Sequence, residues 1–184
     1  MRLRTLTPLL LLLLLTTAAP AQARTLGQRT LERGDHGWDV VVLQRVLAIR
    51  GYSPGAADGA FGPNTKRAVK RFQRARGIAV DGRVGPQTTA TLAAAWPQRT
   101  ASYFGPGLWG NRTACGGTLR KGTRGLAHRT LPCGTQVAVY ANGRIVLARV
   151  IDRGPHRDGV SFDLTQATAR ALGLTTTSSV RAGW

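Results

Sequence analysis

An eight-residue string that occurs twice sets the tightest limit on what the first half of this chain can fold into. Asp58-Gly-Ala-Phe-Gly-Pro-Asn-Thr65 returns as Asp81-Gly-Arg-Val-Gly-Pro-Gln-Thr88, 23 residues later. Asp-Gly favours a turn because glycine tolerates positive φ, and Gly-Pro puts proline at a first helical position, where its missing N–H removes no hydrogen bond. Each copy therefore reads as a turn that launches a helix. After Pro63, the residues Ala68, Val69, Phe72 and Ala75 fall on one helical face. Lys66, Lys70 and Arg74 line another, with Arg67 and Arg71 beside them. The stretch from Asp39 to Arg50 turns Val40, Leu43 and Leu47 inward, and Thr88 to Ala95 is helical by composition. The expectation is three short helices around one small core.

Ahead of the repeat, Arg2 and Arg4 precede an unbroken leucine run from Leu9 to Leu15 and a small-x-small site at Ala21-Gln22-Ala23. This pattern reads as a secretory signal peptide over residues 1–23, cleaved after Ala23. The apolar run is too short to span a bilayer, and no later segment approaches about 18 consecutive apolar residues. No cysteine stands at the cleavage site. A secreted monomer without a stable membrane anchor is expected. The chain holds 26 Lys and Arg against 8 Asp and Glu, a net of +18. Such a surplus suits anionic polymers as partners; export argues against nucleic acid.

Export also bears on the cysteines. Cys115 and Cys133 are the only two, 18 residues apart. In an oxidising compartment they read as a disulfide, whose closure stabilises the fold by about 3 kcal/mol through the unfolded state. The rival is a nucleophilic Cys115 or Cys133 working with His128, which oxidation by the other thiol opposes. Neither cysteine has metal-ligand spacing, and no His/Asp/Glu cluster does, so no cofactor is expected.

Beyond a short bridge, Trp96-Pro97-Gln98-Arg99, the character changes to short β-rich runs. Ser102–Phe104, Gln136–Tyr140, Ile145–Ile151 and Phe162–Leu164 read as strands, with Asn142-Gly143 a hairpin turn. Thr165 to Leu172 reads as a capped helix stopped by Gly173. Many short strands with one helix fit a small barrel.

Two resemblances follow from the motifs. Leu31-Glu-Arg-Gly-Asp35, Val40-x-x-Leu43-Gln44-x-x-Leu47, Gly51-Tyr52, Ala68-Val69-x-x-Phe72-Gln73 and the two Asp-Gly strings resemble the three-helix peptidoglycan-binding domain of cell-wall hydrolases. This implies an all-α domain over residues 24–96 that attaches to peptidoglycan glycan strands, with anionic wall polymers as further partners. Ala101-Ser-Tyr-Phe-Gly-Pro-Gly-Leu-Trp-Gly110, Arg112-Thr-Ala-Cys-Gly116, Leu126-Ala-His-Arg-Thr-Leu-Pro132 and Val150-Ile-Asp-Arg-Gly-Pro155 with Phe162-Asp-Leu164 resemble the rare lipoprotein A type of six-stranded double-psi β-barrel. That implies a domain over residues 97–184 akin to septal lytic transglycosylases, and also to the first domain of expansins, which loosen walls without hydrolysis.

The chemistry needs a carboxyl group that protonates the glycosidic oxygen and then accepts the proton of the sugar's own 6-hydroxyl. The barrel segment offers Asp152, Asp158 and Asp163 and no Glu. Asp152, ending an apolar strand before Gly-Pro, is the expected acid and base, with His128 assisting. Asp163 is expected to hold substrate, or alternatively to cap the helix near Thr165. Ser102, Tyr103, Trp109 and Arg153 complete the expected substrate-binding set. One departure stands out: where the transglycosylases read Thr-Ala-Ser-Gly-Glu, this chain reads Thr113-Ala-Cys-Gly-Gly117, without the functional Glu. Enzyme and non-cleaving wall-binding module both remain open. Arg149, Arg153 and Arg157 near Asp152 would favour its ionised form.

Overall fold

A computed structural model describes residues 25–184, so the expected signal peptide lies outside the described residues. Three helices come first: α1 (Trp38–Ile49), α2 (Pro63–Ala75) and α3 (Pro86–Ala94). Six strands follow: β1 (Gln98–Phe104), β2 (Gly125–Ala127), β3 (Gln136–Ala141), β4 (Arg144–Asp152), β5 (Phe162–Thr165) and β6 (Ser178–Gly183). A fourth helix, α4 (Gln166–Leu172), joins β5 to β6. Pro63 and Pro86 open α2 and α3 after Gly62 and Gly85, as the repeated string requires.

The repeat has a further physical content that its turn residues conceal. Gln44, buried on α1, donates from Nε2 to Asp58 Oδ1 (2.8 Å), Ala60 O (3.1 Å) and Thr65 Oγ1 (3.2 Å), and its Oε1 accepts from Gly59 N (2.9 Å). Gln73, buried on α2, repeats this with Asp81 Oδ1 (2.8 Å), Arg83 O (2.8 Å), Thr88 Oγ1 (3.3 Å) and Gly82 N (2.9 Å). Each Asp-Gly string is thus a cradle for the amide of the preceding helix. The backbone N–H groups of Ala60 and Arg83, with the glutamines, hold Asp58 and Asp81 below the usual carboxylate range. This stabilisation is complete above that range and lost as pH falls through the lowered values. Gln44→Leu strands Gly59 N–H and the facing acceptors in the core, and is expected to lower stability by about 2 kcal/mol. A urea titration should show a lower midpoint with an unchanged slope.

The helical part is not a separate bead. Its core of Leu31, Leu43, Leu47, Phe61, Phe72 and Leu92 runs on through Trp96 into Ala138, Ile145 and Leu147 of the barrel. Leu26 pairs with Ile145 of β4, whose N–H donates to Leu26 O at 2.9 Å. On the other side, Trp96 is 4% exposed and lies over Gly183, where a Cβ would collide with its indole. Arg181 on β6 donates to Ala94 O (3.2 Å) and Trp96 O (2.9 Å) at the end of α3. Near the N-terminal end of this segment, Arg29 grips the buried Asp39 with Nε to Oδ2 at 2.8 Å and also reaches Asp35.

The barrel closes in the order β1-β5-β2-β4-β3-β6. β1 with β5 and β2 with β4 are parallel; the other four pairings are antiparallel. Leu126, Val137, Val139, Val150, Phe162, Leu164 and Val180 fill its interior. The Asn142-Gly143 turn forms with both residues at positive φ, and Gly173 stops α4 in the left-handed region. Two strands carry too little pattern to be read beforehand. β2 has three residues, and β6, Ser-Ser-Val-Arg-Ala-Gly, has a single large apolar side chain. The expected bridge at Trp96–Arg99 is corrected to Trp96-Pro97, because Gln98 and Arg99 already pair with Arg181 and Val180.

Candidate functional site

Strand register builds the site. Ser102 on β1 pairs with Asp163 on β5, Asp163 with Ala127 on β2, and Ala127 with Asp152 on β4. Residues directly opposite in a sheet show their side chains on one face. Ser102, Asp163, Ala127 and Asp152 therefore form a row across four neighbouring strands, on the face opposite buried Ala101, Leu126 and Leu164. Simple alternation from buried Val150 would turn Asp152 inward. The register shift between Leu126 and Ala127 leaves Ile151 over and brings Asp152 into the row, the kind of re-aiming that a bulge performs. Ile151 in turn lies against Gly125, where its side chain occupies the place of a Cβ.

The two carboxyl groups of the row are held differently. Asp152 Oδ1 accepts the N–H groups of Ala114 (2.8 Å) and Arg153 (2.9 Å), which fix its orientation. Asp163 Oδ1 accepts from Ser102 Oγ at 2.9 Å. Burial pushes the Asp163 carboxyl above the usual range, the Ser102 hydroxyl opposes this, and the negative charge of Asp152 adds to it. The helix-capping alternative for Asp163 does not occur: α4 is capped by Thr165, whose Oγ1 accepts from Thr168 N.

Loops at the same barrel end carry the remaining groups. The turn at residues 113–117 docks on β4 through Cys115 N to Ile151 O (3.2 Å) and through the Ala114 bond to Asp152. A Cys115–Cys133 disulfide ties this turn to the 128–133 loop. Arg153 Nη1 donates to His128 O (3.2 Å) and Leu131 O (3.0 Å), and its Nη2 to Cys133 Sγ (3.1 Å). Arg129 reaches back to Pro155 O (2.7 Å) and Arg157 O (2.8 Å). The two arginines thus cross-brace the loops that flank Asp152. Neither forms an ion pair with it among the described residues.

His128 joins Asp152 by backbone, its N–H donating to Asp152 O at 3.2 Å. Its ring Nδ1 accepts from Thr130 N (3.2 Å) and Leu131 N (3.0 Å), so Nε2 carries the proton of the neutral form. Burial, with the charges of Arg129 and Arg153, lowers its pKa. The ring lies 5.2 Å from Phe162 and 6.3 Å from Trp184, centroid to centroid. Trp184, 51% exposed beside this histidine, is an aromatic that the sequence reading passed over.

Tyr103 donates its hydroxyl to Thr175 O at 3.1 Å. Trp109 covers Gly105, where a side chain would meet its ring. Gly117 has φ +88° and faces open space, in a turn closed by Thr113 N to Gly117 O at 3.2 Å. Among the described residues no group of three or more His, Cys, Asp or Glu is placed to hold a metal ion, and no helix is long and apolar enough to cross a membrane.

Comparison with known proteins divides the chain in the same two parts. Residues 36–92 match the family described as "Putative peptidoglycan binding domain", and residues 98–183 the family described as "Lytic transglycolase". Among curated proteins, a "Probable endolytic peptidoglycan transglycosylase RlpA" of Synechocystis sp. is 46% identical over 76 residues, 40% of this chain and 24% of that protein. Its namesake in Nostoc sp. is 40% identical over 93 residues, 48% of this chain and 25% of that protein. The "Spore cortex-lytic enzyme" of Bacillus cereus is 34% identical over 93 residues, 50% of this chain and 36% of that protein. The chain thus spans about a quarter to a third of the length of these relatives. Among solved structures, the SleB N-terminal domain is 39% identical, covering 36% of this chain and 92% of that one at a TM-score of 0.36.

Proposed function

We propose an exported cell-wall protein that holds peptidoglycan and cleaves its glycan strands by lytic transglycosylation, a reading supported by the matches of residues 36–92 to the peptidoglycan-binding domain family and of residues 98–183 to the lytic transglycolase family. The carrying observation is the row Ser102–Asp163–Ala127–Asp152, with two carboxyl groups in unlike surroundings. Pairs whose environments differ in this way divide acid and charge-stabilising roles. Burial, with the charge of Asp152, raises the proton affinity of Asp163, so in this reading Asp163 serves as the acid in place of the expected Asp152. It protonates the glycosidic oxygen as the bond to the muramyl anomeric carbon breaks. The resulting carboxylate then takes the proton of the 6-hydroxyl, whose oxygen bonds to the same carbon, giving a 1,6-anhydro end without added water.

Asp152, oriented by two backbone N–H groups, faces the positive charge that develops on the sugar ring. His128 offers its Nε2 proton to a substrate oxygen, and Trp184 beside it an apolar face to a pyranose ring. Ser102 sets the proton affinity of Asp163, while Arg153 acts on substrate indirectly, by bracing the loop of His128. The barrel is taken as double-psi on its two parallel strand pairs. The boundaries 24–96 and 97–184, the leader at 1–23 and a monomeric state belong to this reading.

A second reading, wall loosening without cleavage, rests on Gly117. An open turn stands where the transglycosylases carry a glutamate. Purified sacculi, intact and stripped of stem peptides, incubated with wild type and Asp152→Asn and analysed by mass spectrometry, separate the two. New anhydromuramyl ends from wild type alone are the expected result. Their absence under all conditions, with the protein still pelleting with sacculi, would leave the non-cleaving reading.

A further inference from the structure

A pocket of about 240 Å³ lies on the helical domain, remote in sequence from the carboxylate row and lined by Ser53, Pro54, Gly55, Asn64, Arg67 and Arg71. Arg67 and Arg71 stand one turn apart on α2, a helix with no Asp or Glu. Like charges at that spacing repel, so the pair is unfavourable until an anion joins it. No protein carboxylate does: the ion pairs among the described residues belong to Arg29 and Arg83. Each guanidinium is steadied by one neutral partner, Arg67 by the Asn64 side chain and Arg71 by Ser53 O at 3.2 Å. Their other N–H groups form no hydrogen bond among the described residues. Buried Pro54 supplies an apolar wall, and at Gly55 no atom would lie within 4 Å of an added Cβ. The lysines of the same helix are placed differently, since Lys66 and Lys70 lay their stems along Gly82.

We propose that this pocket binds the free carboxylate at the end of a short peptide, with the Arg67 and Arg71 forks gripping the carboxylate and Pro54 bounding one small side chain. Two planar forks suit a planar carboxylate. The lining, two cationic forks beside one apolar wall, offers a place for the charged end of one residue. The choice of a peptide rests on the wall-binding reading above, because peptidoglycan carries its carboxylates on stem peptides and contains no phosphodiester.

The test is calorimetric titration of the full chain with N-acetyl-Lys-D-Ala-D-Ala, its C-terminal amide, peptide-free glycan strands and a glycerol phosphate polymer. The free acid should bind and the amide at least about tenfold more weakly, since hydrogen bonds to a charged group are the strong ones. Arg67→Gln and Arg71→Gln should each lose about ten- to a hundredfold in affinity. Lys66→Gln, which removes the same charge outside the pocket, should bind like wild type. All three should keep the wild-type unfolding midpoint and cleave peptide-free glycan at the wild-type rate. Equal binding of acid and amide, equal losses in Lys66→Gln, or preference for the phosphate polymer would overturn the proposal. Peptide binding without any anhydro ends would uphold this site and remove the enzyme reading alone.

Discussion

Asp163→Asn is expected to lower the rate of anhydro-end formation by about 10² to 10⁴-fold, the usual contribution of a placed general acid, while leaving the fold intact. The amide oxygen can still accept from Ser102 Oγ, and a neutral amide fits a half-buried site where burial disfavours the carboxylate. The wild-type rate should fall as pH rises through the Asp163 pKa, which lies above the ordinary carboxylate range. Ser102→Ala removes the bond that opposes this rise, so the alkaline limb of the profile should move to higher pH. Initial rates on stripped sacculi across pH, with thermal unfolding of each variant, check both points. An active Asp163→Asn beside an inert Asp152→Asn would restore Asp152 as the sole acid.

Breaking the disulfide should be the second large perturbation, and it should act on activity before it acts on the fold. Cys115→Ser opens an 18-residue loop, worth about 3 kcal/mol through the unfolded state. The same bond fixes the turn whose Ala114 N–H orients Asp152, and it anchors Cys133, on which Arg153 braces the His128 loop. Once released, the turn is held to β4 by two backbone N–H bonds, Cys115 to Ile151 O and Ala114 to Asp152 itself, beside its own internal bonds. Cleavage should therefore fall under reductant at temperatures where circular dichroism still reports the folded barrel. Parallel loss of activity and ellipticity would assign the disulfide to stability alone.

The parts of the molecule that were legible beforehand are those where local chemistry decides. Pro63 and Pro86 open helices because proline fits a helix start whatever surrounds it, and Asn142-Gly143 turns a hairpin because both residues tolerate positive φ. β2 and β6 escaped because their pairing comes from neighbouring strands rather than from their own three and six residues. Ser102, Asp163 and Asp152 were visible as chemistry-bearing residues, but their alignment depends on a shift at Ile151 that no sequence period records. The row required the register. Gln44 and Gln73 were hidden for the opposite reason: each is polar on a helix, and only the packed structure makes it a core residue.

Trp96 over Gly183 and Leu26 along Ile145 leave no slack between the two halves of the chain. A catalytic unit on a flexible tether searches a volume set by its linker, and its encounters follow an effective concentration. On the proposed function, the helical domain packed against the barrel carries the carboxylate row with it, so attachment to the wall would present the row at a distance and angle set by that packing. In that reading attachment would select which bonds along a strand come into reach, and the spacing of cuts would depend on the packing between α3 and the barrel.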